Sequence, residues 1–214
     1  YISMNFSLMR PEYFRIYTRW LCIALVLIPT AFAFGATQYV VDKKAAGSMP
    51  IFSPGQTATV YVDRADLPLV QHVAKLLSQD VGMVGGTPLK VVHDTSELGD
   101  VAIIAGTTQH SQLIKDLIAR KKLDATAIAA WDGYLIQLID NPLPKVKQAL
   151  VIVGANKRGV AYGVFDLSEQ MGVSPWHYWA DVRPEVKKAL YVAKNTLKLD
   201  APKVHYRGIF LNDE

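Results

Sequence analysis

Three polar side chains close the sequence. Asn212, Asp213 and Glu214 follow the apolar run Ile209-Phe210-Leu211. Two adjacent carboxylates at the end of an apolar strand repel each other and need a reason to be there. At the mouth of a β/α barrel that reason is catalysis, because reacting groups gather at the carboxyl ends of the strands. The bland alternative is an acidic loop after an ordinary strand. Side chains alternate faces along a strand. Asp213 therefore shares a face with Leu211 and Ile209, and Glu214 with Asn212 and Phe210. Both acids are candidate catalytic groups.

Other residues suit ligand binding. Lys157 and Arg158 stand at the start of an expected helix, where a cation is unfavourable against the helix dipole by a few tenths of a kcal/mol. That placement marks them as an interface or ligand pair. Arg207 is a further cation near the end, readable as an anion ligand or as a brace for its strand. Trp176-His177-Tyr178-Trp179 follows Ser174-Pro175. It reads either as core between two domains or as a platform for a sugar face, with Trp176 the candidate contact, since exposed tryptophan is costly unless something covers it.

Several chemistries are excluded. Gly154-x-x-x-x-Gly159 lies between a strand and a helix, but Val160-Ala161 follows where a phosphate loop needs Lys-Ser/Thr, and the three-glycine dinucleotide spacing is missing. His72, His93, His110, His177 and His205 form no metal-ligand spacing. There is no G-x-S-x-G elbow. No cofactor and no metal are expected. The 214 residues are 50% hydrophobic and 20% charged, which excludes a mostly disordered chain.

The elements that must position these groups follow from periodicity. Thr57 to Val62, Leu89 to Val92, Val101 to Gly106, Tyr134 to Ile139 and Leu150 to Val153 read as strands. The uninterrupted apolar run at 101–106 suits a strand buried on both faces. Between them, Val70, Val73, Leu76, Leu77 and Val81 recur at helical spacing, with Asp66 as N-cap, Pro68 in the first turn and Gly82 at the end. Ser111 caps a second helix striped by Leu113, Ile114, Leu117 and Ile118. A third runs through Tyr162, Phe165, Leu167 and Met171. Asn141-Pro142-Leu143-Pro144 reads as a turn. Strands alternating with helices define a layered α/β domain. Lys187 to Val192 and Lys203 to Leu211 read as further strands, separated by a linker turn at Asp200-Ala201-Pro202.

The amino terminus reads as an address. Arg10, Arg15 and Arg19 precede Leu21 to Ile28, then Pro29-Thr30 and Ala31-Phe32-Ala33. That is a secretory signal peptide with cleavage near Ala33; Gly35 and Ala36 are alternative sites. Its apolar core is short for a bilayer span of about 20 residues. Met4 or Met9 is the expected start. Residues 1–33 hold three basic residues and one acid, so their removal lowers the net charge from +4 to +2. Nucleic acid then drops out as a partner, and the lone Cys22 leaves with the leader. The expected product is secreted or periplasmic and meets a membrane only through its signal peptide.

Three stretches carry a resemblance. Gly154-Ala155-Asn156-Lys157-Arg158-Gly159-Val160-Ala161-Tyr162-Gly163, Gly172 to Val182, and Tyr206-Arg207-Gly208-Ile209-Phe210-Leu211-Asn212-Asp213-Glu214 together resemble glycoside hydrolase family 115, the xylan α-1,2-glucuronidases. The first stretch is shared more loosely with the N-terminal α/β domains of other barrel glycosidases. The resemblance implies an N-terminal layered α/β accessory domain followed by the first strand of a truncated (β/α)8 barrel. It divides the chain into a signal peptide (1–33), a lead-in (34–56), the α/β domain with its aromatic connecting segment (57–200) and the start of the barrel (201–214). It implies release of (4-O-methyl-)glucuronic acid from glucuronoxylan or its oligosaccharides with inversion, in a full-length protein that could be a homodimer, with this fragment inactive. Asn212, Asp213 and Glu214 match the family's segment at the substrate pocket. Asn212, Arg207, Arg158, Lys157 and Trp176 become candidate substrate ligands. The competing reading is a non-catalytic carbohydrate-binding or interaction domain of a secreted protein.

Overall fold

The structure, a computed structural model, describes residues 38–208. The expected signal peptide and the segment Asn212-Asp213-Glu214 lie outside them.

The main sheet has six strands. β4 (Thr59–Val62), β5 (Lys90–Val92), β6 (Val101–Thr107) and β8 (Val146–Gly154) run parallel; β7 (Tyr134–Leu143) pairs antiparallel with β8, and β10 (Leu197–Asp200) antiparallel with β7. The spatial order is β10-β7-β8-β6-β4-β5. β6 is central, and all seven of its residues are buried. Its Val101, Ile103 and Ala105 pack into one core while Ala102 and Ile104 pack into the other. β8 divides the same way, with Leu150 and Ile152 on one side and Ala149, Val151 and Val153 on the other. This is the period-two alternation of a strand covered on both faces. It explains why residues 101–106 and 149–153 contain no polar residue to mark an outside.

Helices cover both faces. α1 (Pro68–Gly85) and α3 (Lys157–Gln170) pack on one, α2 (Gln112–Ala119) on the other. Ser111 caps α2 by accepting from the Ile114 N–H. α1 departs from expectation at both ends. Leu67 is its N-cap, and no side chain caps it. The helix runs past Gly82 and stops at Gly86, whose φ of 83° makes a left-handed C-cap that only glycine adopts without strain.

Three differences concern strands. The lead-in carries strands that the sequence does not announce: β1 (Val40–Val41), β2 (Met49–Ser53) and β3 (Gln56–Thr57) form a second sheet with β9 (Leu190–Val192), in the order β1-β9-β2-β3. Met49 and Ile51 are fully buried, and Pro50 fits because the β2–β9 register shifts between Pro50 and Phe52. The expected turn at 141–144 comes later, at Pro144-Lys145, and residues 141–143 belong to β7, whose register shifts between Asp140 and Leu143 where Asn141 takes φ 49°. Finally, residues 203–208 form no strand. Trp176 precedes a short helix, α4 (His177–Ala180). Among the described residues, no helix is long and apolar enough to cross a membrane.

Candidate functional site at the carboxyl end of the sheet

In open α/β sheets, ligands bind outside the carboxyl ends of the parallel strands. Here those ends deliver Asp66 after β4, Thr107 at the end of β6 and Asn156 after β8. Asp66 is buried, but its carboxylate is fully used. It accepts the Thr107 N–H at 2.7 Å, the Thr107 hydroxyl at 3.0 Å and the Leu67 N–H at 2.8 Å. It ties β4 to β6 and is not the helix cap expected of it.

The β8–α3 loop is equally self-contained. Asn156 accepts the N–H groups of Arg158 and Gly159 at 2.9 and 3.1 Å, so the donors a phosphate would use are taken. Gly159 is glycine for close packing. A Cβ there would lie 2.2 Å from the Gly133 carbonyl oxygen, which accepts the Ala155 N–H.

That contact brings the Trp131-Asp132-Gly133 turn against the loop and creates the site. Asp132 takes φ 50°, unusual for a residue with a side chain. Its carboxylate, 4% exposed, accepts from Asn156 Nδ2 at 2.9 Å and from Arg207 Nη2 at 2.6 Å, with Arg158 Nη1 3.7 Å away. Burial pushes its pKa up. The hydrogen bonds from Asn156 and Arg207 and the charges of Arg158 and Arg207 outweigh that and hold it below the ordinary carboxylate value. Arg207 also donates to the Val204 carbonyl at 2.7 Å and lies over the Tyr162 ring at 5.1 Å. His205 stacks on Trp131, centroids 4.0 Å apart and planes 12° from parallel. Lys157 lines the adjoining recess of about 360 Å³ with Gln109, His110 and Trp131.

A larger groove of about 690 Å³ lies between α3 and residues 198–207. At its base, Asp166 accepts the hydroxyls of Tyr39 and Tyr134, each at 2.8 Å, and pairs with Lys198. Burial and this carboxylate push both phenols well above their usual pKa.

Two of the expected ligands, Arg158 and Arg207, thus converge on one acid, and Lys157 stands beside them. The charge of Arg207 is met by Asp132. Trp176, 63% exposed, lines neither recess. Asp132 and Asp166 carry no local sequence signal of their roles. Asp132-Gly133 is a recognisable turn pair, but nothing local announces that its carboxylate receives an arginine 75 residues on. Among the described residues, no group of three or more His, Cys, Asp or Glu side chains could hold a metal ion.

The fold and site define a class: a doubly wound α/β domain whose sheet end grips the chain segment that follows it. Residues 55–167 match the family model described as the glycosyl hydrolase family 67 N-terminus. They make up more than half of the chain, and the chain belongs to that family. The solved structure of BtGH115A, described as a novel family GH115 4-O-methyl-α-glucuronidase with specificity for decorated arabinogalactans, is similar at 32% identity and a TM-score of 0.63. That similarity covers 78% of this chain and 20% of BtGH115A, so this chain spans about a fifth of that enzyme. A structure described as CpGH84D aligns at 10% identity and a TM-score of 0.41, over 74% of this chain and 22% of that one; at that level the likeness carries no argument. No curated protein matches. The described domain is similar to the N-terminal domain of a glucuronidase, and its relatives are glycoside hydrolases.

Proposed function

We propose that this chain is the N-terminal portion of an exported family 115 glycoside hydrolase. The full-length enzyme removes (4-O-methyl-)glucuronic acid from glucuronoxylan with inversion, and residues 34–214 alone are inactive. The observation that carries this reading is the 32% identity with a 4-O-methyl-α-glucuronidase across 78% of the chain. On this reading residues 57–200 are the accessory domain, and 201–214 lead into a catalytic barrel. Asp213 contributes to the pocket, and the acid–base partners come largely from beyond residue 214, because neighbours on opposite faces of a strand are poorly placed to flank one glycosidic bond.

The test is release of uronic acid by the full-length protein and by residues 34–214, each on glucuronoxylan and on a 4-O-methylglucuronate-decorated arabinogalactan. The full-length protein is expected to act on glucuronoxylan and the fragment on neither. Proton NMR should show the β-anomer first, the inverted product of an α-linkage. Preference for arabinogalactan would replace the xylan assignment. Hydrolysis by the fragment, or an inactive full-length protein, would overturn the reading.

A further inference from the structure

We propose that the recess at the carboxyl end of the parallel strands is a binding site for a uronic acid, whose carboxylate meets Lys157 and Arg158 while its ring lies against Trp131.

The topology marks the place. β4 and β6 are neighbours in the sheet. From β4 the chain leaves through α1 to β5 on one side; from β6 it leaves through α2 toward β8 on the other. α1 and α2 lie on opposite faces. The connections therefore part between β4 and β6, and in open α/β sheets such a parting opens the crevice where ligands sit. The recess of about 360 Å³ is built from the loops at that end. Leu67 follows β4, Gln109 and His110 follow β6, and Lys157 and Arg158 follow β8. Trp131 and Asp132, just before β7, close the last side.

Its walls are set before any ligand arrives. Asp66 bonds Thr107 across the β4–β6 gap. The Thr107 hydroxyl accepts the His110 N–H at 3.0 Å, and the Gly154 carbonyl accepts the Thr108 N–H at 3.1 Å. Asn156 joins the third loop to Asp132. A site whose groups are already held loses less freedom on binding.

The lining selects the ligand. Asn156 accepts the N–H groups of Arg158 and Gly159, so an anion here is met by side chains. Asp132 is the acid of the lining, and Arg207 takes its Oδ2 at 2.6 Å. Arg158 stands 3.7 Å from that same oxygen, too far for a hydrogen bond, and its guanidinium N–H groups stay available. Lys157 is exposed and has no partner among the described residues. With Asp132 offset by Arg207, Lys157 and Arg158 remain as surplus cations. Both oppose the α3 dipole, and a bound carboxylate would relieve them.

The rest of the lining suits a sugar ring. Trp131 is 39% exposed. His205 covers one face of its indole but does not line the recess, so another part of the ring borders it. Gln109 adds an amide that both donates and accepts. A uronic acid uses all three features: its carboxylate meets the cations, its ring C–H groups the indole and its hydroxyls the amide. Inorganic phosphate would use only the first, and a neutral hexose only the other two. The volume lies near the lower end of the range for ligand pockets, about 300–1,000 Å³, as a single ring requires.

NMR titration of the 214-residue chain with D-glucuronate, D-glucose and inorganic phosphate tests this. Glucuronate should bind with a Kd on the order of 1 mM and shift amide signals at residues 109–110, 131–133 and 156–158. Glucose and phosphate should each bind about tenfold more weakly or worse. Lys157→Ala and Arg158→Ala should each weaken glucuronate about fivefold or more and leave the signals of β6 and β8 in place. No shifts at about 20 mM glucuronate, shifts confined to the groove between α3 and residues 198–207, glucose or phosphate binding as tightly as glucuronate, or unchanged affinity in both variants would overturn the proposal. The titration needs no turnover, so an inactive full-length protein would count against the proposed function alone.

Discussion

The Ser168 hydroxyl donates to Oδ2 of Asp80 at 2.6 Å, joining α3 to α1 through two residues that are each less than 5% exposed. Burial pushes the Asp80 pKa up, while the Ser168 hydrogen bond and the charge of His177 pull it down less strongly. Its folded value therefore lies above the unfolded value of about 3.9. The cost of burying its charge is fully present above the folded pKa and vanishes below the unfolded one. Asp80→Asn keeps an acceptor for Ser168 and removes that charge. Urea melts of the chain should show it equal to or about 1 kcal/mol more stable than wild type at pH 7, with the gain fading as pH falls. A loss of stability at pH 7 would show that the charge itself is needed.

Asp166 should be among the more sensitive positions. Asp166→Ala removes the carboxylate that the Tyr39 and Tyr134 hydroxyls and the Lys198 ammonium share. The expected cost is about 3–4 kcal/mol. Asp166→Asn keeps an acceptor and should cost about half as much. Equal losses would mean that charge, not hydrogen-bond acceptance, holds the cluster together.

Asp132 should behave oppositely to Asp80 with pH. Its folded pKa is depressed, so its contribution is complete above the unfolded value of about 3.9 and is lost as pH falls through the lower folded value. The stability difference between wild type and Asp132→Asn should hold from pH 7 to about 5 and shrink below pH 4. A difference that persists to pH 2 would assign it to shape rather than charge.

Gly159→Ala separates two accounts of one glycine. In an open helix the change would stabilise by up to about 1 kcal/mol. Here the new Cβ would lie 2.2 Å from a backbone carbonyl oxygen, so a loss of about 2–3 kcal/mol is expected by thermal melting. Lys157→Ala, two residues away and exposed, should stay within about 0.5 kcal/mol of wild type.

The legible parts of the fold were those whose signal is local. β6 reads directly because seven residues are buried on both faces, and α2 because Ser111 and its apolar stripe lie within eight residues. β2 is hidden in the sequence because Pro50 interrupts it and its partner, β9, comes about 140 residues later. β10 is hidden because a four-residue edge strand that runs into Asp200-Ala201-Pro202 looks like a linker. At the site, Arg158 and Arg207 stood out as charges, but their common partner did not. An aspartate in a turn is commonplace, and only the approach of β8 and its loop turns Asp132 into a buried acceptor. Trp176 stood out by residue type, yet its side chain joins neither recess.

The small sheet places one of the earliest described strands beside one of the latest. Val40 pairs with Val192, and Met49 pairs with that same valine. As the chain is synthesised, the layer therefore cannot close until residue 192 is available. Closing so long a loop costs entropy before any contact rewards it, and pairings of such separation form slowly. Until then Met49 and Ile51 have no strand to cover them from β9. The four parallel strands all lie within residues 59–154 and can assemble first, so the small sheet is closed from the far end of the described chain.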